Sequence, residues 1–163
     1  MAGKSEFLQI RVTPAEKAAL RRLAENAGQD VSTFVLSRSL PSARLRFHEL
    51  LRALRNEDQR GFVISELDDF LTGLPGTAFP DAVAEADLSS HSPFVANYVA
   101  AMVEQAAGQK NCSPPRWTMA IDALDEPWFA TDLKSLRPWL LAASPVPFRR
   151  RNLFVDAGVG SRV

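Results

Sequence analysis

The sequence predicts a mostly α-helical protein in two parts. A strand–helix–helix head occupies residues 1–40, and a helical region over residues 41–163 finishes in an irregular, Pro/Trp-rich end. Three observations predict this. Phe7 to Val12 alternates with period two, the pattern of a half-buried strand. Paired start and stop signals for two helices follow at once. Beyond them, apolar residues recur at helical spacing in several separate stretches.

In the head, Leu8, Ile10 and Val12 share one strand face, and Phe7, Gln9 and Arg11 share the other. Thr13-Pro14-Ala15-Glu16 then opens a helix. Thr13 is a good N-cap, Pro14 suits the first helical position, and Glu16 completes a capping box. Leu20, Leu23, Ala24 and Ala27 form its apolar stripe, and Gly28 supplies a left-handed stop. Asp30 caps a second helix that carries Phe34 and Val35, with Pro41 just past its end.

Further along, Pro41-Ser42 begins a helix with Phe47, Leu50, Leu51 and Leu54 on one stripe and Arg44, Arg46, Arg52 and Arg55 mostly around the other side. A polar break is expected from Asn56 to Gly61. Ser65-Glu66 then caps a helix bearing Leu67, Phe70, Leu71 and Leu74, which Gly73-Leu74-Pro75-Gly76 ends. A short helix opened by Pro80 is expected within residues 77–86. The strongest pattern of this half starts at His91-Ser92-Pro93, runs through Tyr98 and Val103 to Ala106, and is closed by Gly108. Residues 109–133, with Pro114-Pro115-Arg116-Trp117 and Pro127-Trp128, are expected to lack a regular helix. Ser135 caps a last short helix through Trp139 to Leu141. A basic bend at Phe148-Arg149-Arg150-Arg151 then leads into an extended apolar segment, Leu153 to Val155.

Hydrophobic residues make up 46% of the 163, enough for a packed core, so wholesale disorder is not expected. No apolar run is long enough to span a bilayer, and Met1 to Ser5 is not followed by the apolar segment of a secretory signal. The expected location is the cytoplasm. The single cysteine, Cys112, excludes an internal disulfide and a multi-cysteine metal site. The zero net charge is unevenly spread: residues 1–56 hold ten Lys/Arg against five Asp/Glu (+5), residues 57–133 three against thirteen (−10), and residues 134–163 six against one (+5). A basic head attracts a phosphate backbone, and an acidic middle is repelled by it.

A single strand leaves both of its edges unpaired. A two-fold dimer solves this by pairing two copies of the strand into an antiparallel ribbon, an element that fits the DNA major groove. At these residues the chain resembles a known family. Leu8-Gln9-Ile10-Arg11-Val12-Thr13-Pro14-Ala15-Glu16-Lys17 and Ala27-Gly28-Gln29-Asp30-Val31-Ser32-Thr33-Phe34-Val35 look like ribbon-helix-helix repressors, especially their antitoxin branch. The resemblance implies that Gln9 and Arg11 enter the groove to read base edges. It implies that Ser32 and Thr33, at the start of the second helix, receive a phosphate through backbone N–H groups, and Lys4 is placed to add a backbone contact. Phe7 takes the third outward position, where the family usually has a polar or basic residue.

The C-terminal stretch, roughly residues 60–163, is similar to a family of uncharacterised bacterial proteins that end in Phe-Arg-Arg-Arg-Asn-Leu-Phe-Val and often carry a DNA-binding head. That similarity implies an antitoxin-like role toward a co-encoded toxin, with a nucleotidyltransferase-type toxin as one candidate. Phe148 and Phe154 bracket Arg149, Arg150 and Arg151, an aromatic–arginine composition typical of interface hot spots, and Trp128 is assigned to the same partner-binding surface. Two other readings of the arginines stay open: countercharge for the acidic middle of the same chain, and an exposed basic turn.

Catalytic chemistry finds little support. His48 and His91 have no partner at metal-ligand spacing, and Cys112 lacks a nucleophile signature. The trios Glu66/Asp68/Asp69 and Asp122/Asp125/Glu126 read as a capped helix face and a solvated loop. No enzyme activity, metal or cofactor is expected. The function expected is an operator-binding, toxin-neutralising repressor that works as a dimer. The alternative is an interaction scaffold whose ribbon only dimerises it, which Phe7 on the readout face and the acidic middle favour.

Overall fold

The computed structural model describes residues 9–39 and 42–156, and among them the side chains of 37–39 are not described. The chain divides into two compact units, Met1–Pro41 and Ser42–Val163. Among the described residues, helices predominate and a single two-stranded sheet is present.

The first unit contains α1 (Pro14–Asn26) and α2 (Val31–Ser39), packed on each other. The capping box forms as its residue types dictate: Glu16 N–H donates to Thr13 Oγ1 (3.3 Å) and Thr13 N–H donates to Glu16 Oε2 (2.7 Å). The Thr13 N–H and the Thr13 hydroxyl (2.9 Å), both donating to the Glu16 carboxylate, hold it below the ordinary carboxylate range. Gly28 takes φ 64°, the left-handed conformation that lets the Gln29 N–H return to Ala24 O (3.0 Å) and close α1. Asp30 then caps α2 through the Thr33 N–H (3.0 Å) and hydroxyl (2.6 Å). Ala24 and Phe34 are buried. Residues 9–13 carry no strand in the single chain. Ile10 and Val12 are exposed, and so is Leu23 of the expected α1 stripe (52%). A strand becomes a strand only when another pairs with it, and no such partner lies among the described residues.

The second unit is built on α3 (Ser42–Ala53), α4 (Arg60–Gly73), α5 (Phe79–Ala82) and α6 (Pro93–Gln109). Phe47, Leu50, Leu51 and Leu54 meet Val63, Leu67 and Leu71, and this layer packs on Phe79, Val83 and the largely buried α6. α4 starts five residues before the expected Ser65. Asn56 accepts the Asp58 N–H (3.2 Å) and opens a 3-10 turn, Glu57–Gln59, that runs straight into α4, so the expected polar break is the helix entrance. α6 runs past Gly108, and Asn111 at φ 54° makes the left-handed turn instead. Asn tolerates this conformation better than most residues.

Around this layer lie short elements: α7 (Arg116–Met119), β1 (Trp128–Phe129), a 3-10 turn (Lys134–Leu136), α8 (Arg137–Ala143), α9 (Val146–Arg149) and β2 (Leu153–Phe154). α7 and α9 are single helical turns where an irregular stretch and a bend are expected. Each follows a proline, which cannot stand inside a helix but suits its entrance. β1 and β2 pair in parallel, Trp128 with Leu153 and Phe129 with Phe154. The extended apolar segment therefore closes the core, with Leu153 and Val155 fully buried. The Ser144 hydroxyl accepts the Val155 N–H (2.9 Å) and ties the end of α8 to the segment after β2.

Candidate functional site

Two groups of residues carry the expected recognition chemistry, one in each unit. Within the first, Lys4 and Phe7 lie outside the described residues. Gln9 and Arg11 are exposed, as are Lys17, Arg21 and Arg22 on α1. Ser32 is exposed in the first turn of α2, whereas Thr33 is half-buried. The cap changes what this helix start offers. The Thr33 N–H and hydroxyl are both held by the Asp30 carboxylate, so Thr33 keeps no donor for a phosphate, and a negative charge stands beside Ser32. Among the described head positions expected to touch DNA, Gln9, Arg11 and Ser32 are the exposed polar ones.

The C-terminal cluster folds inward instead of outward, which corrects half of the partner-binding surface expected from sequence. Phe148 (1% exposed), Phe154 (8%) and Arg151 (5%) are interior residues. The Arg151 guanidinium donates to Glu104 Oε1 (2.7 Å), Thr118 O (2.6 Å), Asn97 Oδ1 (3.1 Å) and Ile121 O (3.4 Å). Glu104 also accepts from Arg150 (2.7 Å). Asn97 bonds onward to Pro93 O and Asp122 O, and Asn152, at φ 57°, donates to Leu124 O (2.6 Å). Arg151 therefore ties residues 118–121 to α6, and Asn152 holds the end of the same stretch at Leu124. The countercharge reading, left open by the sequence, is the one the geometry supports for Arg150 and Arg151, with Glu104 as the acid. A buried carboxylate is tolerated only when paired and hydrogen-bonded in this way.

Aromatic packing explains the phenylalanines. Phe148 meets Tyr98 edge-on at 5.4 Å, and Phe154 stacks on Phe129 at 4.9 Å. The same burial raises the Tyr98 phenol above its ordinary pKa. Trp128 packs against Phe94 (4.8 Å) with part of its ring exposed. Trp117 donates to Val83 O (2.8 Å), while Trp139 is half exposed. Arg149, Arg150 and Trp128 are the members of the expected partner surface that solvent reaches.

Glu104 and Asn97 are the residues that sequence reasoning missed. A signal was present: Glu104 is the one charged residue in the apolar run from Phe94 to Ala107. A lone acid on a buried helix calls for a cation elsewhere in the chain. Neither histidine joins the cluster. His91 Nε2 lies 2.8 Å from Leu51 O, and His48 sits on α3, its pKa lowered by burial and by Arg44 and Arg52. Among the described residues no group of three or more His, Cys, Asp and Glu is arranged to hold a metal. No helix among them is long and apolar enough to cross a membrane.

The head is thus a capped two-helix unit behind an exposed segment bearing Gln9 and Arg11, and the second unit is a helical body closed by its own arginines. Residues 2–55 match a family model described as NikA-like, mobilization protein NikA. The match takes in the head and α3 and covers about a third of the chain. Comparisons with curated proteins and with solved structures gave no match.

Proposed function

We propose that this protein binds DNA through a dimer of its N-terminal unit, with two copies of residues 7–12 paired as a ribbon in the major groove. The reading is carried by the likeness of residues 2–55 to a family described as mobilization protein NikA, together with the +5 charge of residues 1–56, which suits a phosphate backbone. The exposed Ile10, Val12, Leu23 and Val31 support the dimer, because a second copy would cover apolar surface that one copy leaves in water. Arg11 and Gln9 suit base edges, guanidinium to guanine and amide to adenine. Operator binding and repression is the narrower form of this reading. Neutralising a co-encoded toxin is narrower still, and it rests on Arg149, Arg150 and Trp128 now that Phe148, Arg151 and Phe154 are interior.

A titration of labelled duplex DNA with the full chain, repeated at rising salt, tests the proposal. A ribbon that neutralises six or more phosphates loses affinity on the order of a thousandfold between 50 and 200 mM salt. No binding at the lowest salt would favour the second reading, a scaffold that the head only dimerises. The −10 charge of residues 57–133 is the observation on that side.

A further inference from the structure

The C-terminal arginines hold more positive charge and more donors than the chain itself uses. Two guanidinium groups meet one carboxylate: the Glu104 and Arg151 side chains are 3% and 7% exposed, and Arg150 is 53% exposed. Arg151 and Glu104 neutralise each other in the interior, leaving the charge of Arg150 in excess at the rim. An arginine has five N–H donors, and Arg150 is bonded to Glu104 through Nη2. In front of this rim lies a cleft of about 170 Å³, lined by Glu104, Thr118, Met119, Ile121, Ala123, Arg150 and Arg151. Met119, Ile121 and Ala123 give the lining an apolar part, with Met119 68% exposed. Asp122, in the adjoining loop, joins the network through its backbone carbonyl and is not part of the lining.

We propose that this cleft binds a small organic anion, with its carboxylate or phosphate head on Arg150 and its apolar body against Met119, Ile121 and Ala123. The volume suits a small molecule better than a single water. A concave site with an apolar wall and one placed charge is the usual construction of a small-ligand pocket. A charge-assisted bond from guanidinium to an oxyanion is among the stronger polar contacts available there. The proposal is independent of whether the head binds DNA.

The test is a titration of the full chain with benzoate and, separately, inorganic phosphate at constant ionic strength, following the backbone amides of residues 118–123 by NMR. The expected result is saturable shifts there in the wild type and in Arg149→Gln, weakened at least tenfold in Arg150→Gln. Met119→Glu, which puts a carboxylate at the exposed rim without touching the buried pair, is expected to weaken binding as well. Binding of benzoate but not phosphate would assign recognition to head and apolar body together. Binding of both would assign it to the head. No saturable shift with either probe, or equal binding by Arg150→Gln, would overturn the proposal.

Discussion

Arg151→Ala is expected to destabilise the second unit strongly, because it removes the centre of a buried hydrogen-bond network. The lost guanidinium makes four hydrogen bonds, to Glu104, Asn97, Thr118 O and Ile121 O, from a side chain that is 7% exposed. Its loss leaves Glu104 buried with a single bond to a partner that is half in water, and leaves two backbone carbonyls short of a donor. Breaking a buried ion pair by removing one member costs about 3–5 kcal/mol, because the other charge stays behind without its counterion. For a unit of this size that is a fall in Tm of roughly 10–20 °C. Urea unfolding of the full chain reads it cleanly, since Trp117, Trp128 and Trp139 all report on the second unit. Arg149→Ala, at an exposed position, is expected to stay within about 0.5 kcal/mol of wild type. The double variant Arg151→Met with Glu104→Met removes both charges, and it is expected to recover much of the loss. A cost below about 1 kcal/mol for Arg151→Ala would refute the argument that this pair organises the loop.

Three further outcomes follow from the geometry. Phe47→Ala, at a residue with no exposed surface that stacks on Phe70 at 6.4 Å, is expected to lower stability by about 3–5 kcal/mol in the same unfolding assay. Asp30→Ala removes the side-chain cap of α2 and is expected to cost about 1 kcal/mol, read as faster amide hydrogen exchange in α2 than in α1. The His48 pKa is lowered in the folded state by burial, Arg44 and Arg52, so the unfolded chain binds that proton more readily. The stabilising contribution is thus fully present above the unfolded value and is lost as pH falls from about 6.5 toward the folded pKa. Unfolding midpoints at pH 7.5 and 5.5 check this, and His48→Gln is expected to flatten the difference.

Much of the head's helical framework is legible in the sequence because its signals are local. Thr13 with Glu16, Gly28 with the Gln29-to-Ala24 bond, and Asp30 with Thr33 each act within five residues, so their residue types and spacing suffice. The proposed ribbon differs: pairing between two copies would belong to an assembly, so one chain neither forms nor tests it. Two boundaries in the second unit went astray where competing signals stood close together. Ser65 looks like a cap, yet Asn56 supplies one earlier, and Val63 already belongs to the buried face of α4. Gly108 looks like a stop, yet Asn111 provides it.

The arginine cluster shows why an interface is harder to read than a helix. Arg149, Arg150 and Arg151 are consecutive, but only Arg151 turns fully inward, through partners 30 to 54 positions away. Composition alone does not say which of three arginines faces solvent. The bracketing Phe148 and Phe154 look like anchors for a partner, and the single chain uses them as anchors for itself. That burial leaves Arg149, Arg150 and Trp128 as the members of the expected partner surface that solvent reaches.

The central claim is that Gln9 and Arg11, brought together in a dimer, read DNA. The most direct test is to select a preferred duplex from a random pool with the wild type, then compare Arg11→Ala and Gln9→Ala on that duplex and on a scrambled one. A good side-chain-to-base pair is worth about 1–3 kcal/mol, so each variant is expected to lose roughly five- to a hundredfold in affinity for the selected duplex and little for the scrambled one. Unchanged discrimination in both variants, or failure of the pool to enrich any sequence, would contradict the account.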